Sequence, residues 1–246
     1  MSILLNFGTM LKSLLEKKKA DEVLSYMLFM LNKANDANIP IKKQDLLNFG
    51  SNIDFFPGVL DWFSRINQYG NSKGVEVRHF IISSGLQEMI QGTKIAKEFE
   101  KIYASRFMYD HNGIAYWPAL AVNYTTKTQY LFRINKNCLD ECDNTVINKF
   151  IDHTERPIPF DNMVFIGDGE TDIPCMRLVK AQGGHSIAVY PKKNTHSHEK
   201  AKQFAREGRI SLAALADYTP DSAIERSVKA MIDKVIAQRI IQEAGN

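Results

Sequence analysis

The sequence predicts an α/β protein built on an open, mostly parallel sheet. Three observations carry this expectation. Apolar runs rich in β-branched residues, such as Val75 to Ile82, "NMVFIGDG" and "HSIAVYP", read as buried strands. Each run gives way to glycine, serine or proline, the residues of turns. Stretches with helical apolar spacing lie between them, and alternating β and α units favour parallel strands joined by helical crossovers.

The elements follow in chain order. Residues 1–35 read as helical, with Leu4, Phe7, Leu11, Leu14 and Leu15 at helical spacing, then Val23, Leu24, Met27, Leu28 and Leu31. "NDANIPIKKQDLLNFG" breaks the pattern and restarts a helix that Gly50 stops. In "FFPGVLDWFSRIN", Pro57 marks the start of another helix. "GVEVRHFIISSG" is a buried strand ending at a Ser-Ser-Gly turn. "LQEMIQGTKIAKEFEKIYA" gives a helix and a short strand, and Asn112-Gly113 between apolar flanks signals a tight hairpin. "TKTQYLFRIN" is helical, and residues 137–160 form a polar insertion. The strand "NMVFIGDG" leads into the helix "TDIPCMRLVKAQ", and the strand "HSIAVYP" leads into the helix "HEKAKQFAREG". "ADYTP" is expected as a last short strand before the closing helix "SAIERSVKAMIDKVIAQRI".

Composition excludes several classes. Of 246 residues, 44% are hydrophobic and 24% charged, as in ordinary globular proteins rather than disordered ones. A net charge of +3 gives no argument for nucleic acid, and Lys17-Lys18-Lys19 and Lys192-Lys193 read as solvated faces. Three cysteines, Cys138, Cys142 and Cys175, do not make a disulfide framework and read as free thiols. The densest apolar run, "YMLFML", is too short to span a bilayer. The N-terminus lacks the basic region and cleavage site of a signal peptide, so the expected location is cytoplasmic, with no membrane partner. "HSH" at His196 and His198 reads as part of a polar loop.

In a parallel sheet, ligands bind beyond the carboxyl ends of the strands. Ser83 follows one expected strand, Lys127 opens a helix, and Asp168 and Asp172 follow another strand. Each has a plain reading alone: a turn serine, a solvated lysine, a Gly-Asp-Gly turn, a helix cap. Together, in this order, they suit phosphoryl transfer. The hydroxyl of Ser83 and the backbone N–H groups around Ser84 and Gly85 would hold phosphoryl oxygens. Lys127 would oppose developing negative charge. Asp168, with Asp172 near it, would hold a hard cation such as Mg²⁺.

These residues resemble the motifs of the haloacid dehalogenase-like hydrolases, closest to the phosphoserine-phosphatase-like branch. "HFIISSG" matches the family's strand ending in Ser or Thr, "KTQYLFRI" its lysine at a helix start, and "FIGDGETD" its strand followed by G-D-G-x-x-D. "FFPGV" and "YASRFMYDHNG" also resemble family segments, over about residues 50–235. The resemblance implies a Rossmann-like three-layer α/β/α core with a mostly parallel sheet, plus an N-terminal helical cap segment. Residues 1–56 would be an incomplete cap, and residues 57–246 the core lacking its first strand. It implies a Mg²⁺-dependent phosphatase acting on a small phosphorylated molecule through an aspartyl-phosphate. Ser83 and Lys127 would be catalytic, Ser83, Ser84, Gly85 and Lys127 would bind phosphate, and Asp168 and Asp172 would serve the metal. Asp172 would support the ion or orient Lys127. The gap between Lys127 and Asp168 departs from the pattern and is expected as a surface insertion near the site.

The family's first motif, an apolar strand followed by D-x-D-G-T with a nucleophilic first Asp, has no counterpart. No D-x-D occurs in the 246 residues. "ILLNFGTML" carries Gly8-Thr9 where the motif would, but puts Leu5 and Phe7 at both aspartate positions, and its spacing reads as helix. That strand belongs at the sheet centre, between the strands of Ser83 and Asp168. Either those strands re-pair, "SILLNF" fills the slot, or the polypeptide is incomplete. The expectation is an N-terminally truncated member, with a non-catalytic module that binds metal or a phosphorylated ligand as the alternative.

Overall fold

The computed structural model describes residues 20–244. The Leu4–Leu15 stripe, the Lys17-Lys18-Lys19 run and the Gly8-Thr9 near-match lie outside the described residues. The chain divides into two compact units. One joins the N-terminal segment up to Ile53 with Phe80–Asn123, and the other joins Asp54–His79 with Tyr124–Asn246.

In the first unit, α1 (Glu22–Asp36) and α2 (Lys43–Ser51) precede a sheet of β1 (Phe80–Leu86), β2 (Lys101–Tyr109) and β3 (Ala115–Leu120), with α4 (Gln87–Gln91) after β1. Asp21 starts α1 by accepting the Leu24 amide at 2.8 Å, which satisfies an orphan donor of the first turn. Val23, Met27 and Leu31 of α1 are buried with Leu46, Leu86 and Phe107. Leu24 and Leu28, expected on that stripe, are 44% and 48% exposed. The buried face of α1 is thus one row of residues four apart, narrower than the apolar pattern suggests.

β1 runs parallel to β2, as expected, but begins at Phe80 rather than Val75 and continues through Ser83, Ser84 and Gly85. The expected turn is a bulge inside the strand. Ser83 pairs with Ala104 and Leu86 with Ser105, so Ser84 and Gly85 have no opposite partners. β2 and β3 form the expected antiparallel hairpin. Asp110 Oδ1 ties its turn by accepting the amides of Asn112 at 2.9 Å and Ile114 at 2.8 Å.

The second unit begins with α3 (Val59–Ser72). It continues with α5 (Lys127–Asn135), β4 (Val164–Gly167), α6 (Ile173–Ala181), β5 (His185–Tyr190), α7 (Thr195–Arg206), β6 (Leu212–Leu215) and α8 (Ala223–Ala244). The strands form a parallel sheet in the order β4-β5-β6. The α/β class therefore holds, with the parallel strands in two three-stranded sheets. Ile173, Met176, Ala188, Ala201 and Ile210 make a core cluster of this unit. The last strand is "LAAL" at 212–215 rather than "ADYTP". Asp217 Oδ1 accepts both the amide and the hydroxyl of Thr219, which turns the chain where a strand was expected. α7 starts at Thr195, capped by Asn194, so His196 and His198 stand in its first turn rather than in a loop.

The polar insertion after α5 is fastened by that helix's own last turn. Arg133 donates to the carbonyls of Asp140, Glu141 and Asp143, and Lys136 to those of Ile147 and Lys149. The Asn135 amide group donates to the Ile158 carbonyl at 2.7 Å. These anchors sit at the opposite end of α5 from Lys127, about 12 Å away at 1.5 Å per residue. Among the described residues, no helix is long and apolar enough to cross a membrane.

Candidate active site

β4 and β5 pair from Val164↔His185 to Gly167↔Ala188, so β4 delivers Asp168 at its carboxyl end. A short turn over Glu170–Asp172 leads into α6. Asp172 is buried, and its carboxylate folds back over Gly167. A Cβ at position 167 would lie 2.6 Å from Asp172 Oδ2 and 2.9 Å from Asp172 Cβ, closer than real contacts allow. The first glycine of "GDGETD" is therefore where the Asp172 carboxylate rests.

Lys127, the first residue of α5, is only 4% exposed. Its ammonium donates to Asp172 Oδ1 at 2.7 Å and to Thr171 Oγ1 at 3.4 Å. A buried ammonium needs such a partner, because desolvation of a lone charge costs several kcal/mol. The contact occupies one of the two oxygens of the Asp172 carboxylate. Cys175, the third residue of α6, is fully buried. Burial, and then the Asp172 carboxylate, push its thiol up to about 12 despite the opposing effect of Lys127. It is a neutral packing group and not a nucleophile.

Asp168 presents its carboxylate at the surface. Tyr218, which follows β6, lies in its field: burial, and then the Asp168 charge, push the phenol up to about 12. Tyr218 is held by its backbone. Its amide donates to the Pro57 carbonyl at 2.8 Å, Arg65 donates to its carbonyl, and its ring meets Trp62 edge-on at 5.2 Å. Gly58, in the left-handed region at φ +79°, lets this turn approach, since a Cβ there would lie 2.4 Å from the Tyr218 carbonyl. Glu170 pairs with Lys200 of α7, and that hydrogen bond and charge hold its carboxyl below the usual range.

Ser83, Ser84 and Gly85 belong to the first unit. Ser83 Oγ accepts the Gly85 amide at 3.0 Å. The Ser84 carbonyl accepts from the hydroxyls of Tyr26 at 3.1 Å and Ser105 at 3.2 Å. The bulge of β1 is thus tied at both serines. In the second unit, Lys127, Thr171 and Asp172 are brought together, with Asp168 on the same loop. Thr171 and Tyr218 carry no signal in the sequence; only the fold brings them to these positions.

Among the described residues, no group of three or more His, Cys, Asp or Glu converges at metal-binding distances. A thiolate and imidazole site of the zinc type is therefore not formed by them. Mg²⁺ asks for less: one or two carboxylates, with water and substrate phosphate completing the shell. An exposed Asp168 on the loop of Asp172 fits that requirement.

The second unit thus sets a buried lysine–aspartate contact beyond the carboxyl end of a strand in a parallel α/β sheet. The sequence profile of the haloacid dehalogenase-like hydrolases matches residues 54–177. The chain belongs to that family. It is 31% identical over 196 residues to an uncharacterized protein of Borreliella burgdorferi, a match covering 71% of this chain and 65% of that protein. The chain thus spans just under two thirds of that relative. A HAD family hydrolase of Salmonella enterica serovar Typhi has the same fold at a TM-score of 0.52 and 19% identity, covering 83% of this chain and 56% of that one. A cytosolic 5′-nucleotidase IIIB, solved with cytidine, superposes at a TM-score of 0.49 and 15% identity, covering 96% of this chain and 75% of that one.

Proposed function

We propose that this chain supplies most of the site of a Mg²⁺-dependent phosphomonoesterase acting on a small phosphorylated molecule. The observation that carries the reading is the buried 2.7 Å contact between Lys127 and Asp172 beside the exposed Asp168. Asp168 would hold Mg²⁺, which when bound neutralises phosphoryl charge. Lys127, aimed by Asp172 and Thr171, sets a fixed positive charge against the phosphoryl oxygens. Ser83 would bind one of those oxygens, with Ser84 and Gly85 supplying the backbone around it. Residues 57–246 would act as the core and residues 1–56 as cap.

A second reading has its own observation. No D-x-D occurs among the 246 residues, so the family's nucleophile pattern is not supplied by this sequence. Without it, the same groups would bind Mg²⁺ and a phosphorylated ligand and not turn it over. Hydrolysis of phenyl phosphate with and without Mg²⁺ separates the two. Turnover lost in Asp168→Asn supports the enzyme. Phosphate binding without turnover supports the binding module, and neither binding nor turnover overturns both.

A further inference from the structure

Two hydroxyls from different elements of the first unit meet on one acceptor. The Ser84 carbonyl, inside the bulge of β1, accepts the Tyr26 hydroxyl from α1 at 3.1 Å and the Ser105 hydroxyl from β2 at 3.2 Å. Ladder pairing lapses there, between Ser83↔Ala104 and Leu86↔Ser105, and the hydroxyls satisfy a carbonyl that has lost its strand partner. Ser105 is fully buried, and its oxygen also accepts the Val122 amide at 3.0 Å, which fixes it from β3's side. Burial, and then the charge of Glu88, push the Tyr26 phenol up to about 12 against the opposing hydrogen bond of Ser105. Tyr26 is therefore an O–H donor at neutral pH.

The consequence falls on the other side of the same peptide. A trans peptide sets its N–H opposite its C=O. With the Ser84 carbonyl held toward buried Ser105, the Gly85 N–H points the other way, at an exposed residue, and donates to Ser83 Oγ at 3.0 Å. A serine oxygen that accepts this amide keeps its own proton for another acceptor. The donors thus run in one direction, from the Tyr26 and Ser105 hydroxyls through the Ser84–Gly85 peptide to the Ser83 hydroxyl. Hydrogen bonds in such a chain polarise one another, so each strengthens the next donor. We propose that Tyr26 and Ser105 are positioning residues for the Ser83 hydroxyl as a phosphate donor, acting through the peptide that they fix and polarise. Neither touches the anion. The inference rests on the phosphatase reading for the anion, and on the hydrogen bonds alone for the peptide.

The sequence supplies the probe. Ser-Gly occurs once in the 246 residues, at 84–85. The full chain labelled with ¹³C at serine carbonyls and ¹⁵N at glycines therefore gives one carbonyl–amide correlation for this peptide. Inorganic phosphate with Mg²⁺ is expected to move the Gly85 amide. Tyr26→Phe keeps the ring and removes one hydroxyl. It is expected to shift the Ser84 carbonyl upfield without phosphate, and to weaken phosphate binding roughly two- to tenfold, the worth of one hydrogen bond. Ser105→Ala, on a different element, is expected to do the same, and the other glycine amides show whether each variant folds. A Ser84 carbonyl unmoved in the folded variants overturns the proposal. So does a moved carbonyl with undiminished phosphate affinity, which would leave the hydroxyls a purely structural part. A parent Gly85 amide that phosphate does not move overturns both the proposal and the place of Ser83 in the phosphatase reading. Phosphate bound and weakened as expected, with no turnover of phenyl phosphate, supports the positioning role and counts against the enzyme reading alone.

Discussion

The Asp172 carboxylate occupies the space where a side chain at position 167 would begin, 2.6 Å from an ideal Cβ there. Gly167→Ala must displace it, and with it the group that holds Lys127. Overpacking of this kind costs about 1–3 kcal/mol. The measurement is a urea unfolding midpoint at unchanged slope. A variant as stable as the parent would show that the Asp172 side chain does not rest on Gly167.

The ion pair itself gives the second prediction. Both side chains are nearly dry, at 5% and 11% exposure for Lys127 and Asp172. Removing one partner leaves an uncompensated buried charge, which costs about 3–5 kcal/mol. Lys127→Met and Asp172→Leu are each expected to destabilise by that order, and the double variant by much less than their sum. Additive losses in the double-mutant cycle would mean that the two groups are not coupled.

The thiols divide by environment. Cys142 is exposed, whereas Cys138 and Cys175 are buried, and the Cys175 thiol is pushed up to about 12. Thiolate is the reactive form, so Ellman's reagent at neutral pH is expected to modify one thiol quickly and the other two only on unfolding. Cys142→Ser removes the fast phase. A fast phase that persists in Cys142→Ser would place a second thiol at the surface.

What the sequence conveys here follows the range of each physical signal. β4, α6, β5 and the hairpin were legible because apolar runs and turn residues act over neighbouring positions. β1 begins only at Phe80, because Val75–His79 carries the polar Glu76, Arg78 and His79, the last two of which reach Asn137 and Asn67. β6 is alanine-rich and carries no β-branched signature, so the polar turn at Asp217–Thr219 drew the expectation downstream. At the site, residue types marked Lys127, Asp168 and Asp172. Nothing in their spacing tells that Lys127 bonds a residue 45 positions away, or that Thr171 joins it. Tyr218 is placed by backbone contacts to Pro57 and Arg65, which no local pattern encodes.

The last prediction concerns Glu225, which is 1% exposed at the start of α8. Burial alone would raise its carboxyl. The Asp221 amide, the Arg65 guanidinium at 3.0 Å and Lys229 at 3.4 Å outweigh burial, and the carboxyl is held below the usual range. The folded state therefore binds this proton less readily than the unfolded chain does. Stability from this group is fully present above the unfolded value of 4.5 and is lost as pH falls through the lower folded value. Glu225→Gln keeps the shape and removes the titration. Its unfolding free energy is expected to fall below the parent's at neutral pH and to approach it as the pH drops below that window. The check is a series of urea melts from pH 7 downward. A constant difference between parent and variant across the series would show that Glu225 is not the group being titrated.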